Sequence, residues 1–173
     1  MPMTIPTKAD LLSQHHSLQH TGFDVKLQQR ATAHQVPVSF FFAIASRETN
    51  CVNELGDFQD GEAHGIGIVQ IDIQNQIAKD ARDSGSWKTD PDPLIEFGAN
   101  LLAQNMAGVQ QQFPAFTDQQ VLKIAASAYN CGLRHALTGL QNGDSDQLTT
   151  GHNYGRDVMT RMAIFEELIA EGA

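Results

Sequence analysis

Apolar positions along this chain recur mostly three and four residues apart, which is the spacing of one helix face. Thr7 followed by Asp10 has the form of a capping box and opens a segment carrying Leu11, Leu12 and Leu18. Asp24 is placed to cap a second helix that runs to about His34. Pro37 sits where a first-turn proline is tolerated, and a third helix is expected from there to about Asn50. Further on, Leu94, Gly98, Leu101, Leu102, Asn105 and Val109 fall on one stripe. Thr117 with Gln120 is a second capping box, leading into Val121, Ile124, Ala125 and Ala128, with Gly132 as the stop. Tyr154, Val158, Met162, Phe165 and Ile169 predict a last helix that ends at Gly172.

The middle of the chain breaks this rhythm. Asn53 to His64 is polar and punctuated by glycine, and reads as a loop. Gly65–Ile73 (GIGIVQIDI) places Ile66 and Ile68, then Ile71 and Ile73, two apart, the period of a short strand or hairpin. Trp87 falls in a second loop that closes at Asp92-Pro93. The pattern predicts a mainly α fold with a small β-hairpin or sheet set into its middle. No internal repeat or linker divides it. A length of 173 residues suits a single domain, 1–173, with 1–21 as an N-terminal helical arm.

Composition narrows the function. Apolar residues make up 41% and charged residues 18%, an ordinary globular balance. No apolar run approaches the ~18 residues that suggest a membrane span. The start, MPMTIPTKADLL, lacks the basic and apolar blocks of a signal peptide. The chain is therefore expected to stay inside, to have lost a leader, or to leave by a route that needs none. A net charge of −9, with no Lys/Arg cluster, argues against nucleic-acid binding. Cys51 and Cys131 do not make a disulfide framework; they are read as two small buried thiols or as one bridge.

The candidate chemistry starts on the helix after Pro37. Phe41, Ile44, Ala45 and Glu48 share one face that is otherwise apolar. A carboxyl continuing such a stripe is desolvated, which disfavours its charged form and raises its pKa. A carboxylic acid that keeps its proton near neutral pH can protonate the leaving oxygen of a glycoside. The alternative is a half-exposed Glu48 paired with Arg47. Asp57, Asp60, Glu62 and Asp72 follow in the loop and strand. An inverting glycosidase needs a second carboxylate roughly 6.5–9.5 Å from the acid to activate water, and a solvated acidic loop is the competing account. The Asp57–Gly61 run lacks the ligand pattern of a calcium loop. His15, His16 and His20 stand without a Cys or carboxylate beside them, so no metal site is expected.

Several motifs then fall in a known order: Ser46-Arg47-Glu48, Gly56-Asp57, Gly65 to Asp72 (GIGIVQID), Phe113-Pro114, Ser127 to Gly132 (SAYNCG), Thr149-Thr150, and Tyr154 to Arg161 (YGRDVMTR). From about Gly22 to the end the series resembles the goose-type lysozymes, relatives of the soluble lytic transglycosylases. The resemblance implies an α+β lysozyme-like fold, a helical bundle flanking a substrate cleft, with residues 22–173 as the catalytic core. It implies hydrolysis of the β-1,4 bond between N-acetylmuramic acid and N-acetylglucosamine in peptidoglycan. Glu48 matches the family's catalytic acid, and Asp57 and Asp72 match the two aspartates assigned to the attacking water. Gln70, Tyr129, Asn130 and Tyr154 match cleft residues that contact sugar or support the acid. No metal or cofactor is implied, and a monomer is expected.

Two departures from the family stand out. The segment before Gly56 is shorter than in the vertebrate members and the segment after Asp57 longer, so Asp60 is a substitute for Asp57. Both cysteines stand where the family has small residues, and a bridge between the two motif helices is one reading of them. Three other functions compete. A lytic transglycosylase would leave 1,6-anhydro ends and needs no water-orienting carboxylate. A wall-binding module would keep the fold without turnover. A chitin-cleaving enzyme would prefer N-acetylglucosamine oligomers.

Overall fold

In the computed structural model, which describes residues 6–173, nine helices and one three-stranded sheet are found among the described residues. Helix α1 spans Lys8–Thr21, and Thr7 and Asp10 make the reciprocal capping box. Residues 1–5 of the expected arm lie outside the described residues. Helix α2 spans Phe23–Ala33, but its cap is Gly22 (φ +75°) and not Asp24, which falls in the first turn. Gly22 also closes α1, so one glycine in a left-handed conformation serves both helices and leaves no gap for an Asp24 cap. Helix α3 spans Val38–Thr49 with Pro37 immediately before it, and Asn50 (φ +53°) turns the chain out.

The stretch read as a loop from Asn53 to His64 is instead mostly sheet. Strand β1 is Leu55–Gln59, β2 is Glu62–Ile66 and β3 is Ile71–Asp72, antiparallel in that order. Gln59 pairs with Glu62, and the two residues between them, Asp60 and Gly61, both have positive φ (+51° and +84°). This is the geometry of a tight two-residue hairpin turn, for which Asp-Gly is a favoured sequence. The second hairpin, pairing Gly65 with Asp72 and Ile66 with Ile71, agrees with the expectation for GIGIVQIDI.

Helices α4 (Gln76–Ser84) and α5 (Ser86–Thr89) occupy the expected Trp87 loop. Both are short, and of their residues only Ala78 and Ala81 are buried, too few apolar anchors to set them apart from a polar loop in the sequence. Helix α6 (Asp92–Gln112) carries the expected stripe. Helix α7 (Asp118–Cys131) starts from the Thr117–Gln120 capping box. Gly132 ends α7 and also opens α8 (Leu133–Gln141), which the sequence pattern did not predict. Helix α9 spans Tyr154–Glu171 and stops at Gly172 (φ +72°).

The core centres on α3. Phe40, Phe41, Ile44 and Ala45 are fully buried and pack with Leu11 and Leu18 of α1, Leu27 of α2, and Val158 and Phe165 of α9. Fully burying one such side chain contributes about 1.5–3 kcal/mol. Because Leu11 and Leu18 belong to this same cluster, α1 is part of the core packing. His15 is also buried there, beside the rings of Phe42 and Phe165, which explains the lowered pKa that burial gives it. Among the described residues no helix is long and apolar enough to cross a membrane.

Candidate active site

A cleft of about 460 Å³ opens between the sheet and helices α3, α6, α7 and α9. All seven residues singled out from the sequence line it: Glu48, Asp57, Gln70, Asp72, Tyr129, Asn130 and Tyr154. Asp60, the substitute for Asp57, does not; it sits exposed at the hairpin turn.

Glu48 is in the last turn of α3, at the end of the stripe formed by Phe41, Ile44 and Ala45. Its carboxyl is enclosed by protein, and this desolvation pushes its pKa up to about 7. Two groups pull the other way: the Tyr154 hydroxyl, which donates a hydrogen bond to Oε1, and the Arg47 guanidinium. Glu48 as a residue is half-buried, and the Arg47 charge acts on it. Arg47 also reaches Asp157, with Nε 2.8 Å from Oδ2, and its guanidinium lies 5.1 Å from the centre of the Tyr154 ring.

Tyr154 is the first residue of α9 and is buried. Its place is fixed by Asp146, a buried carboxylate that accepts hydrogen bonds from the next two backbone N–H groups, Gly155 (2.6 Å) and Arg156 (3.0 Å). An anion there satisfies the orphan donors of a helix N-terminus and complements its dipole. Tyr129, near the end of α7, donates to the Val69 carbonyl (2.7 Å) and so ties α7 to the β2–β3 turn. Burial first, and the charge of Glu48 second, raise both tyrosine hydroxyls well above their ordinary pKa, so both remain donors. Asn130 accepts a hydrogen bond from the Thr150 N–H (2.8 Å), which brings the segment before α9 to the cleft rim.

The sheet supplies the opposite wall. Asp57 and Asp72 are both exposed. Asp57 adopts φ +46° and accepts from Gln59 Nε2 (3.1 Å), and Asp72 accepts from the Gln74 N–H (2.7 Å). Gln70 stands between them, donating through Nε2 to the carbonyls of Gly67 (2.8 Å) and Glu54 (3.1 Å). Its side chain fits because the paired residues Gly56 and Gly65 have no Cβ; a Cβ on either would lie 2.1 or 2.2 Å from Gln70 Oε1.

The cleft also contains His64, Asn75, Phe97, Leu101, Thr150 and Arg47, none of which the sequence reading proposed as a site residue. Thr150 and Arg47 belong to quoted motifs. The signal for His64 was its position opposite Asp57 across the first hairpin, which needs that hairpin to be recognised. Both cysteines are free thiols, so no bridge joins the motif helices. Cys51 is buried behind the site, with its thiol pushed up to about 12 by burial, and Cys131 is half-buried.

A desolvated carboxyl, two exposed aspartates and two tyrosines thus line one cleft. The sequence model of the family described as Lysozyme g matches residues 10–168. The chain belongs to the lysozyme g family. It is similar to the lysozyme g of Casuarius casuarius, at 27% identity over 124 residues, covering 72% of this chain and 62% of that protein. The lysozyme g of Epinephelus coioides is 27% identical over 143 residues, covering 79% and 70%. That of Cyprinus carpio is 24% identical over 154 residues, covering 89% and 78%. The chain thus spans less than two thirds of the length of some of the curated relatives it matches.

Proposed function

We propose that this protein is a peptidoglycan hydrolase, a muramidase that cleaves the β-1,4 bond between N-acetylmuramic acid and N-acetylglucosamine with inversion. The observation that carries this reading is the enclosed carboxyl of Glu48, with a pKa of about 7, facing Asp57 and Asp72 across one cleft. Glu48 donates its proton to the glycosidic oxygen as the bond to the sugar carbon breaks. Asp57 and Asp72, open to solvent, hold the water that attacks from the other face and accept its proton. Tyr154 keeps the acid seated through its hydrogen bond. Tyr129, Asn130 and Gln70 offer apolar ring area, amide donors and acceptors suited to an N-acetylated sugar.

Residues 1–173 are read as one catalytic unit working as a monomer. Support for this is the packing of α1 into the same core as α3 and α9, and the scatter of exposed large apolar residues such as Val25, Phe58 and Ile169.

The test is mass analysis of the products from defined peptidoglycan, with Glu48→Gln as control. Reducing-end muropeptides from the wild type, and none from the variant, are the expected result. Products lighter by one water would be 1,6-anhydro ends and would make the protein a lytic transglycosylase. Sugar binding by a wild type that cleaves nothing at any pH would make it a wall-binding module. Faster cleavage of N-acetylglucosamine oligomers would point to chitin.

A further inference from the structure

The last motif in the chain, Tyr154 to Arg161, contains two buried charged residues that the proposed reaction does not use. Asp157 and Arg161 lie one turn apart on α9, and both are buried, at 4% and 5% exposure. Arg161 Nε is 3.2 Å from Asp157 Oδ1, and Arg47 Nε is 2.8 Å from Asp157 Oδ2, so one carboxylate spans two guanidinium groups. Arg161 continues through Nη1 to the carbonyl (3.1 Å) and hydroxyl (2.8 Å) of Ser46, and that hydroxyl donates to Gln14 of α1 (2.5 Å). At the other end Arg47 lies against the ring of Tyr154, whose hydroxyl holds Glu48. A continuous polar chain therefore runs from the first helix to the candidate proton donor.

Burying three charges in one place is costly unless each is balanced. Removing the anion would leave two cations facing each other beside the site. We propose that Asp157 is a positioning residue for the proton donor: it fixes Arg47 against the Tyr154 ring and balances its charge, so that Glu48 stays seated and keeps its proton. This rests on the reading of Glu48 as the acid.

The charged and titratable surroundings of Glu48 come from several elements. Arg47 is beside it on α3, Tyr154 on α9 and Tyr129 on α7. Asp57, His64 and Asp72 face it from the sheet across the cleft. Behind it, Arg161 has the protonated Cys51 thiol as a further neighbour. Of these, Arg47 is the cation whose charge acts directly on Glu48, and Asp157 is the anion bound to that cation.

The experiment measures kcat and KM against pH for the wild type, Asp157→Asn, Arg47→Gln and the double variant. In the wild type, activity falls as Glu48 loses its proton near pH 7. Asp157→Asn leaves the Arg47 charge uncompensated and should move that alkaline limb down by about 1 pH unit. Arg47→Gln removes the cation and should move it up by a similar amount, and the double variant should return toward wild type. Asp157 does not line the cleft, so in Asp157→Asn KM should change less than about threefold.

Limbs that stay in place, or that shift in the same direction, would overturn the proposal and leave Asp157 as a fold-holding residue. If Asp157→Asn does not fold, as circular dichroism would report, the double variant decides the matter: its limb should lie below that of Arg47→Gln, and a limb level with it would overturn the proposal. A Glu48→Gln variant that retained turnover would sink the assignment of the acid itself. An inactive Glu48→Gln with unmoved limbs in the other variants would sink only the role of Asp157.

Discussion

Glu48 and Tyr154 come from helices of 12 and 18 residues that pack closely on each other, whereas Asp57 and Asp72 come from strands of five and two residues with much of their surface in water. The helical wall encloses its carboxyl, surrounds it with fixed hydrogen bonds and raises its pKa. The sheet wall leaves its carboxylates solvated. One cleft thus holds two kinds of carboxylate, separated by environment alone, which is what a division of labour between proton donor and water-holding base requires.

The sharpest way to break this contrast is Glu48→Gln, which keeps the shape and removes the proton. Cleavage should fall by about 10³-fold, within the range expected for a general acid, measured as muropeptide release. Asp57→Asn and Asp72→Asn should each cost about 10–100-fold if the two share the water, with a larger loss in the double variant. Equal and near-complete loss from only one of them would show that a single aspartate does the work.

The same Glu48→Gln variant tests enclosure through stability. The folded pKa of about 7 is above the model-peptide value of 4.5. Glu48's contribution is therefore most favourable to folding below about pH 4.5 and is lost progressively as pH rises through 7. Relative to wild type, Glu48→Gln should gain stability over that interval, up to about 3 kcal/mol, measured by urea unfolding at pH 4.5 and 8. A gain that does not depend on pH would mean the carboxyl is solvated in the folded protein.

Two smaller effects sharpen the picture. Tyr154→Phe removes a hydrogen bond that lowers the pKa of Glu48, so the alkaline limb of activity should move upward, with a rate loss under about tenfold. On the other wall, Gly65→Ala forces Gln70 out of its seat and should cost about 1–3 kcal/mol, read as a lowered Tm.

The contrast between the walls also explains what could be read from the sequence. The helical wall was legible because burial imposes a period: Phe41, Ile44, Ala45 and Glu48 declare one face, and the Thr7–Asp10 and Thr117–Gln120 boxes mark two starts. The sheet wall was only half legible. In β1 three of the five residues are exposed and none is buried, so no alternation betrays it. The Asp60-Gly61 turn was the one local signal, hidden in a run of polar residues. Helices α4 and α8 were missed because each follows a break and has few buried positions. The link from Arg47 to Asp157 joins residues far apart in sequence, and only the packing of α3 against α9 brings them together.

Cys51 carries a consequence of another kind. Its thiol is buried between Gln14 of α1 and Arg161 of α9 and holds its proton far above physiological pH. A thiol in that state is a poor nucleophile toward alkylating or oxidising reagents. Its capture has to wait for α1 to lift from its seat on α2 and α9, which makes this sulfur a slow internal clock for the detachment of the chain's first helix.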